Sequence, residues 1–403
     1  SCVNAHAALR TRVTVDGAFE KLAPLEPSAL PLRRCTGFDE ADRAEAEMHR
    51  LLHLGSDQLL GAVVVTSPEP RLRLVANHMA VDAISWTHIV AQLERALHAN
   101  APPLRRRTVS AAHWGHALAA HANRPELQGE LSFWREVMQH PAPSVPKRGA
   151  STVGAHQSLA TRLDREASRQ LAEAIPKSRV TIDELLVSAL AQTLAEWRNG
   201  PSRFFIERHG REPIEGLPDV SQAVGWFTSL APFAVEPAGT QAQLLRDRLR
   251  DMPSRGIGYG LLRFLHDDVT VRNSLRASHG NEIVLNFLGR QHPVAGNDFE
   301  TTRPLRLHRS DSLMGFASLE ITASLSDTLD LAWEYAPSHF EAAEIESFSE
   351  AMLGKIREGI AYWLGEGGKQ VTTTDFPLAN LSSDQLANLA SLLDPGSKER
   401  GPQ

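Results

Sequence analysis

The sequence predicts an α/β protein built as two lobes, and three observations predict it. Strand-like segments with apolar residues at every second position alternate with helix-like segments whose apolar residues recur at three- and four-residue steps. A chain of 403 residues is long enough for two hydrophobic cores. Between them, Pro141 to Gly154 (PAPSVPKRGASTVG) is rich in Pro, Gly and Ser with no apolar period, the composition of a linker. We therefore divide the chain into an N-terminal lobe, residues 1–145, a linker at 146–154, and a C-terminal lobe, residues 155–403. The halves share a coarse order of strands and helices, without a repeat of fixed spacing.

The elements follow in order. Val3–Val15 reads as the end of a helix running into a strand, and Asp16-Gly17 as a hairpin turn, so the chain is expected to begin inside an element. Glu40–Leu54 is a helix and Leu59–Thr66 a strand. Arg71–Ala76 alternates Leu72 and Leu74 with Arg71 and Arg73, the pattern of a strand covered on one face. The following helix buries a stripe of Trp86, Ile89, Val90, Leu93 and Leu97, and Asp82 stands at its N-cap. Helices are expected at Ala111–Ala120 and Glu126–Met138. Beyond the linker come a strand at Gln157–Leu163, helices at Glu166–Ala174 and Ile182–Trp197, the latter capped by Thr181 or Asp183, and a strand at Arg203–Glu207. An irregular segment runs from Arg208 to Pro237. A helix at Leu244–Met252 and a Gly-rich, then apolar, Gly256–Leu265 follow. Strands at Ile283–Leu288, Ser318–Leu325 and Leu329–Tyr335 and a helix at Ala342–Trp363 complete the lobe.

Composition excludes several functions. Apolar content of 42%, charge of 22% and a net charge of −6 describe an ordinary globular protein with no basic surplus for nucleic acid or an anionic membrane. The triplet Arg105–Arg107 reads as a solvated loop. No apolar run reaches a membrane span, and the first residues lack a signal-peptide layout. The only cysteines, Cys2 and Cys35, form no disulfide scaffold or zinc motif and fit a reducing cytoplasm. Of 17 histidines none forms an H-E-x-x-H pair, so no metal site is expected. The glycines of GIGYG match neither a P-loop nor G-x-G-x-x-G, and no G-x-S-x-G elbow exists.

Four places carry residue types that could do chemistry. His78 sits on a strand-to-helix loop with Asp82 four residues on; a lone H-x-x-x-D is also compatible with a hydrogen-bonded core His. Glu207–Glu212 (ERHGRE) ends a strand with ionisable groups around Gly210. They are either functional or an internal ion-pair cluster of Arg211, Glu212 and Glu207. Val224–Ala231 (VGWFTSLA) is a Gly-bent floor segment or a core strand. Asn286 is a polar residue inside a strand, functional or at an edge or bulge. A His and a Glu on different lobes, both at strand ends, can form a proton-transfer pair.

These segments, in this order, resemble the epimerization domains of nonribosomal peptide synthetases, within the condensation-domain superfamily. NHMAVDAISW (Asn77–Trp86) is similar to the motif H-H-x-x-x-D-G-x-S-W, ERHGRE to E-G-H-G-R-E, and SQAVGWFTSLAPF (Ser221–Phe233) to S-R-T-V-G-W-F-T-x-x-Y-P. RGIGYGLLRFL (Arg255–Leu265), NFLG (Asn286–Gly289) and TDFPLANLS (Thr374–Ser382) match further blocks. The resemblance implies two chloramphenicol-acetyltransferase-like lobes forming a V with a central tunnel. It implies that His78 and Glu207 are catalytic, epimerizing the Cα of an aminoacyl or peptidyl thioester from L to D by two-base proton transfer. Asp82, Asn77, Ser85, Trp86 and Arg211 would support them, with Asp82 ion-paired to an Arg, and Arg208, Trp226, Asn286 and Phe287 would line the tunnel. Backbone N–H groups at the start of the helix after Asp82 would stabilise the enolate. The domain would need no cofactor of its own, because its substrate arrives on the phosphopantetheine arm of a peptidyl carrier protein. Its partners would be that carrier and neighbouring synthetase domains, in cytoplasmic antibiotic-type biosynthesis.

Four positions depart from the motifs, and the family's opening strand and helix are not found. Asn77 replaces the first His, Ala83 a Gly, Arg208 a Gly, and Phe287 a common Tyr. Ala83 would be restricted if its φ were positive. Arg208 would place a cation beside Glu207 and weaken it as a base. A second reading therefore stands: a degenerate domain, inactive as an epimerase, serving recruitment or another reaction on the tethered substrate.

Overall fold

The structure is a computed structural model describing residues 2–14, 16, 19–26, 29–97, 109–143, 156–277, 282–290, 316–365, 367–369, 371–376, 379, 382, 384–386 and 388. A one-turn helix α1 (Cys2–Ala5) and a 3-10 turn lead into β1 (Thr11–Val13), which pairs antiparallel with β2 (Phe19–Lys21). The pairing agrees with a turn around Asp16; Gly17 lies outside the described residues. Next come β3 (Leu32–Cys35), α2 (Phe38–Leu51), β4 (Leu60–Val65), β5 (Arg71–Ala76) and α3 (Ala83–Leu97). β4 is central, parallel to β3 and antiparallel to β5. One face of this sheet packs on Ala41, Ala44 and Met48 of α2 through Val63, Val65 and Val75. The other core joins Leu60 to Ala80, Val81 and Ile89, with Trp86 and Leu93 partly buried against it; the stripe expected on α3 is shorter than its period suggested, because Val90 is half-buried and Leu97 at the helix end is exposed.

The chain continues through α4 (Ala111–Ala122), α5 (Pro125–Gln128) and α6 (Leu131–Gln139). The single helix expected over Glu126–Met138 is thus two. Gly129 weakens the helix, and the Glu130 carboxylate is held by Trp134 Nε1 at 3.0 Å and by the Ser254 hydroxyl. Then follow β6 (Gln157–Arg162), α7 (Arg165–Lys177), α8 (Ile182–Arg198), β7 (Ser202–Arg208), β8 (Ser229–Val235), α9 (Ala242–Arg250), α10 (Ile257–Gly260) and α11 (Val269–Ser274). The last are β9 (Glu282–Arg290), β10 (Ala317–Leu325), β11 (Leu329–Tyr335) and α12 (Ala342–Leu364). α8 starts with a capping box: Thr181 accepts the Glu184 N–H at 3.2 Å, and Glu184 accepts the Thr181 N–H at 2.8 Å.

The six strands order as β6-β11-β10-β9-β7-β8. Leu186, Leu190 and Leu194 of α8 and Phe348, Met352 and Ile356 of α12 join Ile206, Ile283, Ile321 and Trp333 of the sheet in one core. β8 corrects the expectation of an irregular run from Arg208 to Pro237. It is the edge strand, where Pro232 is tolerated because one side of the strand has no ladder to complete. Residues 209–228 remain irregular and form the connection from β7 to β8, and beyond β8 Glu236 leads into a 3-10 turn at Pro237–Gly239.

The expected linker at 146–154 lies outside the described residues, as do Arg105–Arg107 and part of Thr374–Ser382. α4–α6 precede that linker, yet Ala122, Leu127 and Trp134 are buried in the same core as the six-stranded sheet. At the other end, Asp375 meets Arg250 at 2.6 Å and the buried Arg246 at 3.4 Å, tying residues 372–376 to α9. Among the described residues no helix is long and apolar enough to cross a membrane.

Candidate active site

His78 opens a 3-10 turn, His78–Ala80, between β5 and α3. Asn77 builds that turn. Its Oδ1 accepts the Met79 N–H at 3.1 Å, and its Nδ2 donates to the Leu52 carbonyl at 2.8 Å. Where the motif has a first His, this chain has a cap and an anchor. His78 Nδ1 lies 2.8 Å from the Val81 carbonyl oxygen. A carbonyl only accepts, so Nδ1 carries a proton, and the neutral tautomer that fits this contact has its lone pair on Nε2. The imidazole stacks on Trp226, with centroids 4.6 Å apart and planes at 27°.

Asp82 caps α3: its Oδ1 accepts the Ser85 N–H at 2.8 Å. Of the N–H groups at the start of that helix expected to meet an enolate, the one of Ser85 is thus already taken by Asp82. Ala83 begins the helix without strain. Among the described residues the non-glycine positions with positive φ are Asn199, Ser254 and Arg255, so Ala83 has no need of a glycine's freedom. The Trp86 N–H reaches the Asp82 carbonyl at 3.3 Å, and its side chain packs on the N-terminal core.

Glu207 is the last residue but one of β7. Its partners in register are Leu230 of β8 and Asn286 of β9, and Asn286 is in register with Thr322 of β10. Neighbours across paired strands share a face, so Glu207 and Asn286 face the same side of the sheet. Asn286 therefore occupies a central strand and not an edge. Phe287, one residue on, faces the other side and packs against the main core.

Arg208 does not stand beside Glu207. Alternation along β7 sends it to the opposite face. There its Nη1 lies 3.5 Å from Asp183 and its Nε 3.6 Å from Glu212, while His209 Nε2 lies 3.7 Å from Glu212. Burial pushes the Asp183 carboxyl up, against the pull of Arg208. Gly210 has φ 63°, and a Cβ there would lie 1.7 Å from the Phe227 carbonyl oxygen, so only glycine lets the two backbones pass.

Arg211 leaves the cluster expected with Glu212 and Glu207 and turns to Asp82. Its Nη2 lies 2.7 and 2.8 Å from the two Asp82 oxygens and 3.1 Å from Ser85 Oγ. Its Nη1 donates to the Val220 and Ala223 carbonyls at 2.8 and 2.6 Å, and the guanidinium lies 4.3 Å over the Phe227 ring. Asp82 also accepts the Phe227 N–H at 3.1 Å, and Ser85 Oγ accepts the Gly225 N–H at 3.0 Å. Asp82 is four residues past His78 and Arg211 four past Glu207, so this buried pair binds the two motif segments together. Sequence reasoning missed that the backbone around Trp226 belongs to the same network. The run G-W-F beside a Ser-bearing helix start was the only signal.

The GIGYG segment is a packing surface. A Cβ on Gly258 would fall 1.9 Å from the Glu130 carboxylate, so the glycine allows α10 to lie against α5 and α6. Among the described residues no group of three or more His, Cys, Asp or Glu is placed to hold a metal ion.

The chain is 28% identical over 415 residues to a linear gramicidin synthase protein of Brevibacillus parabrevis, covering 94% of this chain and 5% of that protein. It is 26% identical over 388 residues to tyrocidine synthase 1 of the same organism, covering 88% and 35%. It thus spans a small part of the curated relatives it matches. In fold it is similar to the epimerization domain from the third module of tyrocidine synthetase B, with TM-score 0.76, 21% identity and coverage of 90% and 87%. It is also similar to the first condensation domain of the CDA synthetase, with TM-score 0.65, 14% identity and coverage of 93% and 87%. The condensation-domain family matches residues 1–362, and the chain belongs to that family.

Proposed function

We propose that this domain epimerizes the Cα of an aminoacyl or peptidyl group carried as a thioester on the phosphopantetheine arm of a carrier protein. The observation that carries the reading is the buried Asp82–Arg211 pair, which ties the loop of His78 to the strand end of Glu207. The thioester carbonyl acidifies the Cα–H. One of the two residues takes that proton from one face, and the other returns a proton to the opposite face; in the reverse direction the roles exchange. With its Nδ1 proton held by Val81, His78 can work at Nε2 in either direction: a bare Nε2 takes the Cα proton while a protonated Glu207 returns one, and a doubly protonated ring returns a proton from Nε2 while the Glu207 carboxylate takes one. Asn286, beside Glu207 on the same sheet face, offers an amide N–H for the oxygen that gains charge. The similarity to an epimerization domain supports the reading, and so does Arg208 facing Asp183 and Glu212, away from the proposed base. The reaction draws its substrate from the carrier protein and places the domain among the other domains of a synthetase.

The test is deuterium incorporation from solvent at Cα of an aminoacyl group loaded on a carrier protein. His78→Ala and Glu207→Ala are each expected to lower the exchange rate by at least about 100-fold, the usual share of one general acid or base. Undiminished exchange in both variants would sink the reading. Carrier binding by the wild-type chain without any exchange would favour the recruitment role instead.

A further inference from the structure

We infer that Trp226 is a positioning residue for His78, and that it makes the reactive imidazole depend on the packing of residues 209–228 against the start of α3. This inference rests on the proposed epimerase reading only for its kinetic consequence. Its structural part stands on the stack itself.

Trp226 is 49% exposed, an unusual state for the largest apolar side chain. Its indole nonetheless has a defined place, stacked on His78 at 4.6 Å. The residues on either side of it are both pinned from α3. The Gly225 N–H is held by Ser85 Oγ at 3.0 Å, and the Phe227 N–H by Asp82 Oδ2 at 3.1 Å. Gly225 also has no room for a side chain, since a Cβ would lie 2.8 Å from the Phe227 ring. A backbone gripped on both sides delivers the intervening side chain to one spot, and that spot is the His78 ring.

The imidazole is thereby held twice. The Val81 carbonyl fixes its Nδ1 edge, and the indole covers one of its faces. The first contact comes from its own loop. The second comes from residues 209–228, the connection between two strands of the large sheet. Without the grip of Ser85 and Asp82 on residues 225 and 227, the carbonyl contact stays with His78 and the stack is lost. The ring can then turn away from the geometry that proton transfer at carbon needs.

The experiment compares Trp226→Leu, which removes the aromatic face, with Trp226→Phe, which keeps it. Half exposure of the residue leaves the core intact in both. In protein carrying isotope-labelled histidine, the His78 ring signals are assigned by their absence in His78→Ala. We expect the His78 Cε1–H resonance to move downfield in Trp226→Leu, as the ring-current shift disappears, and to move less in Trp226→Phe. A resonance unchanged in Trp226→Leu overturns the stack. In the exchange assay, Trp226→Leu is expected to lower kcat about tenfold with KM for the loaded carrier unchanged, and Trp226→Phe to stay within about threefold of wild type. Full activity in Trp226→Leu, with activity lost in His78→Ala, overturns the positioning role. Absence of exchange in the wild-type chain counts against the epimerase reading alone, and the resonance shift still decides the stack.

Discussion

The two sides of the site are built differently. Around His78, donors and acceptors meet at 2.7–3.1 Å: Asn77 with Leu52 and Met79, His78 with Val81, and Asp82 with Ser85, Phe227 and Arg211. Around the end of β7, on the face away from Glu207, charged groups approach only to 3.5–3.7 Å, and among the described residues neither oxygen of the buried Glu212 has a hydrogen-bond partner. The first arrangement fixes geometry. The second balances charge without fixing it. A carboxylate that accepts several short bonds cannot move without leaving each donor stranded, whereas a loose cluster tolerates rearrangement.

The largest expected effect tests the tight side. Asp82→Ala leaves Arg211 buried with no counter-charge and uncaps α3, and should cost about 3–5 kcal/mol of stability in a urea titration. Pairing it with Arg211→Met should recover part of that loss, because an apolar pair removes the stranded charge. The second prediction tests the loose side. Arg208→Ala removes the cation shared by Asp183 and Glu212, and the long contacts predict a smaller loss, about 1–2 kcal/mol in the same titration. A loss equal to that of Asp82→Ala would break the comparison.

The smallest effect is a pH dependence. The Asp183 carboxyl is raised by burial, so the folded protein holds its proton more tightly than the unfolded chain. Its contribution to stability is complete below the ordinary carboxylate range and is lost as pH rises through the raised folded value. Asp183→Asn should therefore flatten the decline of Tm with rising pH above that range, and be at least as stable as wild type at neutral pH. A Tm-against-pH curve with the same slope in both proteins would show that this side is as rigidly balanced as the other.

Much of the local structure was legible in the residues. β5 and β11 have the expected bounds: β11 alternates Leu329, Leu331, Trp333 and Tyr335 inward without a break, and β5 alternates Leu72 and Leu74 with Arg71 and Arg73, although its buried residue is Val75, on the arginine face against α2. The N-cap of Asp82 and the cap of Thr181 followed from residue type and position. β3 was not legible, since Leu32–Cys35 is short and mostly exposed and lacks alternation. β8 was not, since Pro232 argues against a strand wherever the edge position is unknown. The partner of Arg211 was hidden for a different reason. Glu207 and Glu212 are near in sequence, while Asp82 is 129 residues away.

By itself the sequence determined the alternation of strands and helices, the placement of His78 and Glu207 at strand ends, and the residue types that cap and turn the chain. These depend on neighbours within a few positions, where propensity and period act. Only the tertiary structure decided that Arg211 grips Asp82, that Arg208 faces Asp183 and Glu212, and that Trp226 lies on His78. Each of those choices is made between groups that come close only when the 209–228 connection settles onto α3, and burial then leaves every charge to its nearest partner in space.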